Sequence, residues 1–132
     1  MTTHLYVEVK PALLGLDPNV HNRVELVRAQ EKLKSLAEEL NVWPLTAFYS
    51  YDRAGMENLF RKDELATMPE EAQSFSPARG LETVQALRKK LPELLGGQDI
   101  RVEETQQELA DLEVILTAAL AADSRFCLYP GP

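Results

Sequence analysis

Hydrophobic and polar residues alternate strictly at the start of the chain. Leu5, Val7 and Val9 fall on one side, and His4, Tyr6, Glu8 and Lys10 on the other. A period of two with β-branched residues predicts a half-buried strand, closed by Pro11. Leu13, Leu14 and Leu16 then form an apolar connection around Gly15. Beyond it the period lengthens: Val20, Val24, Val27, Leu33, Leu36, Ala37 and Leu40 share one stripe, with charged residues elsewhere. This predicts a helix over about 18–40, opened by Asp17-Pro18 as capping carboxylate and first-turn proline, and ended by Asn41 in a left-handed conformation.

Leu45 to Tyr51 carries strand propensity, with Thr46, Phe48 and Ser50 on one face and Ala47, Tyr49 and Tyr51 on the other. Apolar groups on both sides place this strand inside a sheet. Asp52-Arg53-Ala54-Gly55 turns the chain, and the stretch from about 53 to 76 loses its periodicity, which predicts an irregular excursion. Leu81, Val84, Leu87 and Leu91 restore a helical stripe, which Pro92 ends. Gly96-Gly97 reads as a loop. An acidic-first helix follows from Glu103, with Thr105, Leu109, Leu112, Ile115, Leu116, Ala119 and Leu120 inward, and Asp123-Ser124 closes it. The last strand, from Arg125 to Tyr129, is apolar on both faces and stops at Pro130-Gly131-Pro132, which predicts an interior place between the first two strands. The fold expected is α+β: a small mixed or antiparallel sheet of about three strands, with three main helices packed largely on one face. No linker or repeat divides the chain, so residues 1–132 are expected to form a single domain.

Charge narrows the partners. The chain has 21 acidic and 14 basic residues and a formal net charge of −7. Such a surface repels phosphate backbones and anionic lipid over a Debye length of about 10 Å, so neither nucleic acid nor membrane is expected as a partner. The basic run Arg88-Lys89-Lys90 reads as a solvated helical face. No stretch approaches the roughly 18 apolar residues of a membrane span, and the N-terminus has no secretory pattern, so a cytoplasmic location is expected. Cys127, the sole cysteine, lies in an apolar run and reads as a buried thiol.

Motifs for chemistry are sparse. The chain has two histidines, His4 and His21. His4 and Glu8 share a strand face but stand about 13 Å apart, too far to share one ion. There is no paired-cysteine, helical two-histidine, nucleophile-elbow or phosphate-loop pattern, so no metal, cofactor or catalytic residue is expected. The doublets Glu38-Glu39, Glu70-Glu71 and Glu103-Glu104 splay apart on a helix and read as solvated. One cluster stands above this background: Trp43, Tyr49, Tyr51, Asp52 and Arg53, around the end of the second predicted strand. Aromatics with polar tips beside charges suit a binding patch, although core filling by the rings and a simple turn at Asp52-Arg53 is the favoured reading. The functional expectation is a non-enzymatic protein-binding module that docks or neutralises a basic protein. The alternatives are a small-ligand site or enzyme built on the Tyr49–Arg53 region, and a homodimer that buries an uncovered helix stripe.

Overall fold

The computed structural model describes residues 3–50, 73–93 and 101–132. The turn at Asp52-Arg53, most of the expected excursion and the Gly96-Gly97 loop lie outside these residues. Strand β1 (His4–Lys10) pairs antiparallel with β2 (Arg125–Gly131), so the two ends of the described chain meet in one ribbon. Between them run α1 (Glu25–Arg28), α2 (Gln30–Glu39), α3 (Pro77–Lys90) and α4 (Val102–Ala121).

The register places Leu5, Val7 and Val9 opposite Pro130, Leu128 and Phe126. Period two therefore gathers all six on one face of the ribbon. That face, not the one bearing Tyr6 and Tyr129, is continuous with the helical core of Leu26, Leu33, Leu87, Leu109, Leu112 and Leu116. On the other face the Tyr6 and Tyr129 rings stack with centroids 5.3 Å apart, and Tyr6 donates a 2.6 Å hydrogen bond to the Pro132 carbonyl. Cys127 is buried, as expected.

The sheet has two strands among the described residues, not three. Residues Leu45–Phe48 form a 3₁₀ turn in place of the expected strand. Leu45 and Phe48, three apart, both enter the core, a spacing that suits a turn of helix and would split them between opposite faces of a strand. Only beyond that turn does the chain reach the sheet: Tyr49 bridges Leu128 in parallel, and Ser50 N–H donates to the Leu128 carbonyl at 2.8 Å. Phe75 exchanges two backbone bonds with Phe126, at 2.7 and 3.0 Å. So β2 is interior, with β1 on one side and these two single-residue bridges on the other. It also runs on through Pro130 to Gly131 rather than stopping. Pro130 is tolerated because it lies opposite Leu5 at a pair whose backbone groups point away from each other, so its missing N–H breaks no bond to β1.

The helix expected from residue 18 begins at Glu25. Asp17 caps a turn instead, its Oδ1 accepting from Asn19 N–H at 2.9 Å. The groups that would have closed the first helical turns are spent on the outer edge of β1. The Asn19 side-chain amide accepts from Val7 N–H at 2.8 Å and donates to the Val7 carbonyl at 3.0 Å, and the Arg23 carbonyl accepts from Leu5 N–H at 2.9 Å. This covers an edge that would otherwise invite another strand. The shift leaves Val20 65% exposed and brings Leu26, outside the expected stripe, to 1%. Ala29, with ψ near 11°, separates α1 from α2, and Asn41 closes α2 at φ 57° as its residue type suggested.

Helices α3 and α4 follow the expected stripes, except that Leu120 is 49% exposed. They cross over Gly80, where an added Cβ would stand 2.6 Å from Phe126 Cζ and 3.0 Å from Leu116 Cδ1. A 3₁₀ turn, Leu91–Glu93, carries the chain past Pro92. No helix among the described residues is long and apolar enough to cross a membrane.

Candidate functional site

Of the residues singled out by composition, Trp43 and Tyr49 lie among those described. Trp43 is 43% exposed and lies against Phe48 and Phe75, with the Arg79 guanidinium 4.9 Å from its ring centroid. Its carbonyl accepts from the buried Thr83 hydroxyl at 2.5 Å, which fixes the 3₁₀ turn against α3. Tyr49 turns instead to α2, donating to Gln30 Oε1 at 3.0 Å, and burial pushes its phenol up to about 12. A phenol held neutral this firmly is a hydrogen-bond donor and not an acid–base group near neutrality. Tyr51, Asp52 and Arg53 lie outside the described residues. The Arg88-Lys89-Lys90 run sits at the C-terminal end of α3, where cations offset the helix dipole. Two of its charges are paired, Arg88 with Glu113 at 3.1 Å and Lys90 with Glu93 at 2.6 Å.

A different set of residues converges on a cleft of about 450 Å³ between the connector leaving β1 and the first half of α4. Its walls are His21, Asn22 and Arg23 on one side and Glu104, Gln107, Glu108 and Asp111 on the other. Helical spacing explains the second wall. At about 100° per residue, positions 104, 108 and 111 share one flank, next to the buried stripe of Thr105, Leu109 and Leu112. The first wall follows from the edge contacts to β1, which hold the turn and bends of residues 19–23 alongside α4.

Arg23 is the anchor. Its side chain is 1% exposed, and its guanidinium donates to the Leu5 carbonyl at 3.2 Å and to the Pro18 carbonyl. Nη2 also stands 2.6 Å from Asp111 Oδ2, close enough for a strong ion pair but not aligned as a hydrogen bond. Glu108 reaches across to the start of α1. Its two oxygens accept from the backbone N–H groups of Glu25 and Leu26, each at 3.0 Å, a capping role filled from another helix. Burial pushes the Glu108 carboxyl above its ordinary value, and these two backbone bonds oppose the shift. Glu104 stands exposed at the rim. Three carboxylates against one guanidinium, itself engaged by Asp111, leave the lining acidic, an arrangement that suits a cationic group.

None of Arg23, Glu104, Glu108 or Asp111 stands out from composition. The flank of three carboxylates at 104, 108 and 111 is legible as a helical pattern. The partner wall is not, because Arg23 and Asp111 lie far apart in sequence and no local rule joins them. Among the described residues, no group of three or more histidine, cysteine, aspartate or glutamate side chains is arranged to hold a metal ion.

Fold and cleft define a small α+β protein in which four described helices pack on one face of a two-stranded antiparallel ribbon and an acidic cleft opens along the last helix. No known family model, curated protein or solved structure matches the chain.

Proposed function

We propose that this protein is a non-enzymatic binding module that docks a basic protein partner through the cleft between residues 21–23 and α4. The observation that carries this reading is the cleft lining: Glu104, Glu108 and Asp111 form one wall of a cleft of about 450 Å³, and the one guanidinium present, on the opposite wall, is already paired. A lysine or arginine side chain would bring the missing positive charge, and exposed Glu104 would meet it first. The net charge of −7 adds long-range steering toward such a partner. Support comes also from the tethering of the cleft walls to β1 and α1, which holds the carboxylates in place before binding.

An arginine octapeptide is a suitable probe, titrated by calorimetry at about 0.05 M and about 0.5 M salt. Binding should weaken as salt rises. Glu104→Lys should reduce affinity about tenfold at low salt, or about 1.4 kcal/mol, while Glu38→Lys on the exposed face of α2 should change it far less. Equal losses in the two variants would mean that diffuse charge, and not the cleft, attracts the peptide, and the reading would fall.

A further inference from the structure

Among the residues that line the acidic cleft, His21 is the only histidine. It belongs to the connector wall, across from Glu104, Glu108 and Asp111 of α4. The chain on both sides of it is pinned to β1. Two residues earlier, the Asn19 side chain exchanges hydrogen bonds with the Val7 backbone at 2.8 and 3.0 Å. Two residues later, the Arg23 carbonyl accepts from Leu5 N–H at 2.9 Å. His21 is thus held on the cleft wall while remaining exposed, so solvent can deliver or remove its proton. Histidine is the side chain whose charge ordinarily changes between about pH 5 and pH 8.

We propose that His21 is a pH-sensitive switch on docking at this cleft: the neutral imidazole admits a cationic side chain of the partner, and the imidazolium opposes it. This rests on the reading of the cleft as the docking site for a basic protein, and it adds when that site accepts one. With His21 neutral, the lining sets one guanidinium against three carboxylates. Protonation makes it two cations against three, and Arg23 remains engaged with Asp111. The imidazolium then supplies part of the positive charge that the partner would bring, and repels the rest. The facing wall responds in the same direction. Burial raises the Glu108 carboxyl, so acid also removes a negative charge from α4. Glu25 of α1 does not line the cleft, and its carboxylate is met by Arg28 at 3.3 Å and by Arg101 at 4.0 Å.

The test is calorimetric titration of the full chain with an acetylated and amidated arginine octapeptide, whose charge is constant with pH. It is run at about pH 7.5 and about pH 5.5 in about 0.05 M salt. The parent should lose about fivefold or more in affinity at the lower pH. His21→Gln should lose clearly less, because only the Glu108 response remains. His21→Lys carries a permanent charge and should bind weakly at both values. His4→Asn separates the cleft from net charge: it removes the other histidine, on β1 and outside the cleft lining, and should keep the parent's loss. His21 is exposed, so its variants should keep the parent's far-ultraviolet circular dichroism spectrum. A parent that binds equally at both pH values, or a full loss retained by His21→Gln, would overturn the switch and leave the docking reading standing. A parent that binds no peptide at either pH would overturn the docking reading, and the switch with it.

Discussion

Glu108 shows how one side chain joins elements that its sequence neighbourhood does not connect. Helix α1 has four residues, too short to persist without outside partners for its first N–H groups. The Glu108 carboxylate supplies them from α4, at a cost: burial raises the carboxyl above its ordinary value of 4.5, more than the two backbone bonds lower it. A raised carboxyl binds its proton more tightly in the folded state than in the unfolded chain. Its contribution to stability is therefore greatest below the ordinary value and declines as pH rises through the raised one. Carboxyl carbon shifts should show Glu108 titrating above 4.5. Urea unfolding should show the stability of the parent relative to Glu108→Gln falling as pH rises past the ordinary value of 4.5, and a constant difference would contradict the assignment.

Among the elements, α3 comes close to both Phe126 of β2 and Leu116 of α4 at Gly80. Glycine in a helix is ordinarily a weakness, since alanine would favour the helix by about 1 kcal/mol. At Gly80 the neighbours reverse that sign, because an added Cβ would meet the buried Phe126 ring at 2.6 Å and Leu116 at 3.0 Å. Phe126 is 1% exposed and packs against Phe48 in a tilted contact and against Phe75 edge-on, so it has no room to move aside. Gly80→Ala should destabilise the protein by about 1–3 kcal/mol in urea unfolding, against the gain that helix propensity alone would give. The helical stripes of α3 and α4 were legible in the sequence because long amphipathic periods repeat their signal several times. The stretch from Leu45 to Tyr51 was not. Strand-favouring Thr46 and Phe48 are equally compatible with a 3₁₀ turn, and what decides between them is that Leu45 and Phe48 both have a core to enter.

Across the whole molecule, Arg23 ties together three parts that contribute no shared local signal. Its backbone and side chain clasp β1 at Leu5, its guanidinium holds the connector at Pro18, and its charge meets Asp111 on α4. Arg23→Ala would open a cavity, strand the Asp111 carboxylate and uncover the edge of β1. The expected loss is about 3–5 kcal/mol, measured by chemical denaturation, and a loss below about 1 kcal/mol would show that β1 and α4 are held by apolar packing alone. The candidate site shares this origin. Its acidic wall is a helical pattern visible in the chain, while the opposite wall exists because Asn19 and Arg23 pair with a strand edge instead of winding into a helix.

By itself the sequence determined the amphipathic faces: the alternating strand at the start, the stripes of α3 and α4, the left-handed stop at Asn41, and the apolar strand near the end. These are consequences of fixed backbone periods, which act on any few consecutive residues. The tertiary structure decided the number of strands, the true start of the first helix and the location of the acidic cleft. Each of these turns on competition for backbone hydrogen bonds or burial between segments distant in the chain, and that competition is resolved only when β1, the connector and α4 are packed together.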